Sequence, residues 1–295
     1  MNNLLISGFS DEISADFNTQ LEVVKKLGMH YISLRGIDGR NIGDFSVDEI
    51  RDDVLPRLQK AEIGVSSIGS PIGKILIDDD SGFEEQKQML HTICKICSLL
   101  DCKYIRIFSF YIPKGEEADK YRENVISKLK ELAAIAKSYD IILLHENEKD
   151  IYGDIGRRCK EILHEVGSAS FKAIFDFANF VQCGEEPKKC YDLLKDDIVY
   201  IHIKDAVSET GQNVVCGTGQ GRITEILELA MDEGYQGFLT LEPHLVLFDS
   251  LKDLELEESL HFIENNEALT GASAYKLQYE SLLDILNQIT SKEEV

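Results

Sequence analysis

The run Ile141-Ile142-Leu143-Leu144-His145-Glu146 decides the fold. It is too short for a helix and reads as a buried strand whose last residues turn polar. The same form recurs three times downstream: Ala173-Ile174-Phe175 before Asp176, Ile198-Val199-Tyr200-Ile201 before His202, and Phe238-Leu239-Thr240-Leu241 before Glu242. Continuous apolar strands separated by helical stretches belong to a parallel sheet covered on both faces. In a closed parallel barrel the C-terminal strand ends share one mouth, so Glu146, Asp176, His202 and Glu242 can meet there on one ion. The spacings of 30, 26 and 40 residues (146 to 176, 176 to 202, 202 to 242) each fit one β-α repeat, the last with a longer loop.

Outward from these runs, strands are expected at residues 4–9, 31–35, 64–69, 104–110, 141–146, 171–176, 199–203 and 238–242. Helical periodicity falls at 16–27, 47–60, 83–100, 118–138, 156–166 and 223–231, with a last helix at 274–290. Gly28, Gly167 and Gly234 sit where helices should stop. Eight such units predict an α/β protein with a single (β/α)8 TIM barrel domain over residues 1–295, a size that suits the roughly 250 residues typical of this architecture. A long connection, 243–273, follows strand eight directly after Glu242. Its Leu245, Val246, Leu247, Phe248 and Leu251 need cover, which predicts a lid over the mouth or a contact in a homo-oligomer.

Thirty-one Lys and Arg against 53 Asp and Glu give a formal charge of -22, which repels nucleic acid and anionic membranes. The start, Met1-Asn2-Asn3-Leu4-Leu5, lacks a basic and apolar leader, and no run is long enough to span a membrane, so a cytoplasmic protein is expected. Seven scattered Cys agree with a reducing compartment. Cys94 and Cys97 form a C-x-x-C within a helical stretch, without a second pair to complete a zinc site, and read as helix packing.

Three carboxylates and one imidazole make a mostly hard ligand set, which favours one divalent ion: Mn²⁺ first, with Mg²⁺, Co²⁺ or Zn²⁺ as alternatives. Octahedral coordination leaves two positions, which suit the vicinal carbonyl and hydroxyl of a sugar or polyol substrate. Proton abstraction next to the carbonyl would then give a metal-stabilised enediolate, with a nearby carboxylate moving the proton.

Leu144-His145-Glu146-Asn147-Glu148, Phe175-Asp176-Phe177-Ala178-Asn179, His202-Ile203-Lys204-Asp205 and Leu241-Glu242-Pro243-His244 together resemble the xylose isomerase-like barrels. That family includes sugar-phosphate isomerases, ketose epimerases, keto-inositol dehydratases and apurinic endonuclease relatives. The resemblance covers nearly the whole chain. It implies that Glu146 and Glu242 are both metal ligands and the catalytic acid/base pair. Asn179, Lys204, Asp205 and His244, inside the same motifs, are implied substrate contacts. The epimerase branch usually has a His three residues after the aspartate, a Glu six after the first glutamate and an Arg six after the metal His; here stand Asn179, Tyr152 and Ser208. His202-Ile203-Lys204-Asp205 is closer to the dehydratase and aldose-ketose isomerase branches, although Lys204 and Asp205 can equally form a rim ion pair. The endonuclease branch needs further His ligands and a basic groove, which the composition opposes.

Arg35, Lys74 and Arg106 lie at or near strand ends and are candidates for binding substrate oxygens, with Arg106 equally readable as an internal barrel residue paired with an acid. Asp11 and Glu12, directly after strand one, read as rim charge before they read as partners that support a ligand from behind. Cys216-Gly217-Thr218-Gly219-Gln220-Gly221 precedes a helix but lacks a nucleotide-loop ending, and reads as a turn before it reads as a phosphate site. The leading function is thus a metal-dependent sugar isomerase or epimerase. The alternatives are a keto-sugar or inosose dehydratase or 3-keto-glycoside lyase, and a non-catalytic carbohydrate-binding subunit.

Overall fold

The apolar runs do form strands. In the computed structural model, residues 4–247 and 269–293 are described. Eight strands build the main sheet: β1 (Leu5–Gly8), β2 (Tyr31–Leu34), β3 (Gly64–Gly69), β4 (Tyr104–Ile107), β5 (Ile142–Glu146), β6 (Phe171–Asp176), β7 (Ile198–Ile203) and β8 (Phe238–Leu241). Every pairing in the order β1-β8-β7-β6-β5-β4-β3-β2 is parallel. A parallel bridge between Phe9 and Ser33 joins β1 to β2 and closes the ring. This is the expected TIM barrel.

Around it run α1 (Phe17–Lys26), α2 (Leu55–Ala61, extended backwards by helical turns from Val47), α3 (Asp80–Leu99), α4 (Arg122–Ser138), α5 (Gly156–Val166), α6 (Phe177–Gln182), α7 (Pro187–Leu194), α8 (Ile223–Asp232) and α9 (Gly271–Glu293). Gly28, Gly167 and Gly234 adopt positive φ after α1, α5 and α8, where a Cβ would be strained. Two helices, α6 and α7, were not anticipated from periodicity. The first is a single apolar turn and a half started by the Asp176 side chain, which accepts from Asn179 N. Residues 108–110 were expected to continue strand four but leave the sheet: Phe108 N donates to Ile72 O at 2.8 Å and Phe110 N to Gly73 O at 3.0 Å, so the loop after β3 captures them.

Side chains alternate across a strand. One set packs outward against the helices in the main core, where Cys94 and Cys97 of α3 are also buried. The other set fills the barrel: Leu144, Ile174 and Tyr200, with Tyr104, Ile142 and Phe238 beneath them. Tyr200 Oη anchors this interior, lying 2.9 Å from both Ser66 Oγ and Ser67 Oγ and accepting from Thr240 Oγ1 at 2.6 Å. Ser7 and Ser33 extend the cluster, so the interior polar groups satisfy one another.

Of the long connection, Leu245 is buried and Leu247 exposed. The expected lid or subunit contact rests on residues 248–268, including Phe248 and Leu251, which lie outside the described residues. No described helix is long and apolar enough to cross a membrane.

Tyr200→Phe should lower the unfolding free energy by about 2 kcal/mol, since it strips a shared partner from three buried hydroxyls. Urea denaturation showing an unchanged midpoint would remove the hydroxyl cluster from the list of stabilising features.

Candidate metal centre

The alternation that points Leu144, Ile174, Tyr200 and Thr240 into the barrel points Glu146, Asp176, His202 and Glu242, each two residues further on, into the layer above. All four are at most 3% exposed, and one ligand atom from each lies within 4.8 Å of the others. Sheet register brings Asp176 beside His202 and His202 beside Thr240. Asp176 is further braced: Asn147 Nδ2 donates to its carbonyl, and its Oδ1 accepts from Asn179 N at 2.8 Å.

His202 Nδ1 lies 2.6 Å from Glu146 Oε1 and 2.9 Å from Glu242 Oε2. One ring proton cannot serve both oxygens. Burial alone would lower the His202 pKa, but the two glutamates pull it up to about 9. Asp176 is pushed up to about 7, first by burial, against which the Lys204 ammonium works, with Glu146 and Glu242 adding to the rise. Its Oδ2 accepts no hydrogen bond. A crowded hard donor set with an oxygen lacking a hydrogen bond fits a divalent cation. Glu146, Asp176, His202 and Glu242 are the residues that would hold it.

Positive charge surrounds the cluster. Lys204 Nζ sits 3.4 Å from Asp176 Oδ2 and 4.0 Å from Glu242 Oε2. Arg106 is an internal barrel residue, with Nη1 3.3 Å from Glu146 Oε2 and 3.6 Å from Glu242 Oε1. Lys74 lies farther out, 3.5 Å from Glu148 Oε2 and over the Phe108 ring. His244 Nε2 is 3.5 Å from both Glu12 Oε1 and Glu242 Oε1, at a residue held at φ 47°. Asn179 Nδ2 donates to Asn147 O at 2.7 Å while its Oδ1 accepts nothing.

Several charged residues take partners within the chain. The guanidinium of Arg35, a candidate for binding substrate oxygens, is held by carboxylates, donating to Asp11, Glu12 and Glu242. Asp11 and Glu12 are not rim charges but are buried beneath the mouth, where burial first, against Arg35, drives Glu12 up to about 8. Asp205, a candidate for a substrate contact or a rim ion pair, has both oxygens accepting from the backbone N–H groups of Ala206, Gly217, Gly219 and Gly221 at 2.8–2.9 Å. A Cβ on Gly219 or Gly221 would come within 2.5 or 2.7 Å of Asp205 Oδ1, which accounts for the glycines of that loop. The loop is a turn organised around an internal anion, as its sequence suggested. Asn147 and Glu148 went unassigned, although their place directly after Glu146 put them at the mouth.

A closed parallel barrel carrying a buried carboxylate-histidine cluster at its C-terminal strand ends defines a class of α/β barrels with a candidate metal site. Within that class the chain belongs to the xylose isomerase-like TIM barrel family, whose model matches residues 21–265. A D-allulose 3-epimerase from Methylomonas sp. has a similar fold, with TM-score 0.73 and 18% identity over 98% of this chain and 99% of that one. The IolI protein with a bound zinc atom is equally similar, at TM-score 0.73 and 17% identity over 98% and 99%. An uncharacterized protein of Methanocaldococcus jannaschii is 25% identical over 178 residues, 57% of this chain; the match spans 60% of that relative's length.

His202→Ala should cut the divalent metal retained after gel filtration from about one ion per chain to a small fraction of that. Equal metal in parent and variant by elemental analysis would remove His202 from the ligand set. Asp205→Asn should cost about 2 kcal/mol, because a neutral amide cannot accept from all four N–H groups. An unaltered melting temperature would return Asp205 to the substrate candidates.

Proposed function

We propose that the protein is a divalent-metal-dependent isomerase or epimerase of a sugar or sugar derivative, with Mn²⁺ the first candidate ion and Mg²⁺, Co²⁺ or Zn²⁺ the alternatives. The observation that carries this reading is the convergence of Glu146, Asp176, His202 and Glu242 on one buried point. A divalent ion held there would supply Lewis-acid stabilisation of negative charge developing on a substrate oxygen. Glu146 ends β5 and Glu242 follows β8, strands separated by β6 and β7, so the two carboxylates approach the barrel centre from different directions. One takes the proton from the carbon beside the carbonyl and the other returns it. Burial of both keeps bulk water from the reacting carbon. The charge of -22 opposes a nucleic acid substrate and leaves a small molecule.

A second reading, a dehydratase or lyase on a keto-sugar, is favoured by Lys204. Its buried ammonium beside Asp176 suits a hydrogen bond that would stabilise charge on the oxygen of a departing hydroxyl. Product mass separates the two, since only elimination loses water.

In a screen of keto-sugars in deuterated water, Glu146→Gln and Glu242→Gln should each slow substrate hydrogen exchange by a factor on the order of 100 or more. If one variant, shown to hold metal, exchanges at the parental rate, the two-base assignment falls and a one-base isomerase or lyase replaces it.

A further inference from the structure

The side of Glu242 turned away from His202 is built as carefully as the side turned towards it. Its Oε1 accepts from Arg35 Nη1 at 3.0 Å, while its Oε2 is the atom 2.9 Å from His202 Nδ1. Arg35 follows β2, and none of its three nitrogens is left to rotate independently. Nε donates to Asp11 Oδ2 at 2.9 Å, and Nη2 donates to Asp11 Oδ1 at 3.1 Å and Glu12 Oε1 at 3.2 Å. The Asp11 contact is a two-pronged fork, which fixes the plane of the guanidinium as well as its position. The Phe9 ring lies 4.2 Å from the Arg35 Cζ and 5.0 Å from the Arg106 Cζ, filling the space into which either guanidinium would otherwise swing. Arg35, Asp11, Glu12 and Glu242 are all at most 5% exposed, so solvent does not compete for these bonds.

We propose that Arg35, locked by Asp11 and Glu12, is the positioning residue that fixes the carboxylate of Glu242, so that Oε2 alone is presented to the metal centre. This deepens the metal-dependent reading of the site and rests on it. A carboxylate free to turn binds a cation through either oxygen or both, and the coordination number changes with it. With Oε1 held by Arg35, Glu242 is restricted to a single-oxygen ligand. Four enclosed side chains, Phe9, Asp11, Glu12 and Arg35, thus bear on the orientation of this one ligand. Residues that orient metal ligands in this manner ordinarily change affinity 10- to 100-fold when altered.

The test loads the full-length protein with Co²⁺ and reads its visible d–d spectrum and its dissociation constant, neither of which requires a known substrate. The decisive variant is Asp11→Asn, which keeps Arg35 and is none of the four ligands, and which loosens the fork that holds the guanidinium. It should weaken Co²⁺ binding about tenfold and alter band position or intensity. Arg35→Gln should do more in the same direction, and Arg35→Lys should recover part of the affinity without the parental spectrum, since an ammonium lacks the fork. Should Arg35→Gln fail to fold, Asp11→Asn and Arg35→Lys still decide. Parental spectra and affinities in these variants, with Co²⁺ bound, overturn the positioning role alone. A parent that takes up no Co²⁺ overturns the metal reading, and the proposal with it.

Discussion

Three carboxylates inside one barrel end cannot all remain charged without cations beside them, and that electrostatic constraint governs the rest of the site. Glu146, Asp176 and Glu242 share a space within 4.8 Å, together with His202. The chain answers with its own positive groups. Arg35 and Arg106 approach Glu242 Oε1, Arg106 also approaches Glu146, and Lys204 approaches Asp176 and Glu242. Burial alone would raise Glu242, yet Lys204 and His202 hold its carboxyl well below the ordinary range. Asp176 has weaker support and stands at about 7. The compensation is therefore uneven: an oxygen of Asp176 and one of Glu242 accept no hydrogen bond, and of the two only Asp176 is left with a raised pKa. A divalent cation would relieve that deficit.

The scaffold makes such a site affordable by separating it from the features that hold the barrel together. Below the ligands, the interior is closed by Leu144, Ile174 and Tyr200 and by hydroxyl groups that pair among themselves. To one side, Asp205 gathers the glycine-rich loop after β7, using its charge on backbone donors where this architecture often binds phosphate. The polar groups at the mouth thus divide into those that stabilise loops and those that face the cluster. Lys204 and Asp205 illustrate the division, because neighbouring residues at a strand end project to opposite sides.

Much of this was legible in the chain. Apolar runs of strand length at barrel-repeat spacing specify β5 to β8, and with them the layer in which Glu146, Asp176, His202 and Glu242 stand. The helix stops at Gly28, Gly167 and Gly234 are local backbone requirements and were equally readable. Helices α6 and α7 were not, because runs of six and eight residues show too little periodicity to register. Strand four was drawn too long because Phe108 and Phe110 have strand-like side chains, while a neighbouring loop takes their N–H groups.

Short-range patterning thus determined the barrel class, the ends of β5 to β8 and the candidate ligand set, since period and spacing act within one β-α unit. The partners of the charged residues were decided only by closure of the ring. Arg35 and Glu242 are 207 residues apart and meet because β1 pairs with both β8 and β2. That closure turns Asp11 and Glu12 from apparent rim charges into buried counter-ions of Arg35. Coulombic pairing depends on distance in space, and one-dimensional order does not carry that distance until the sheet has joined its two ends.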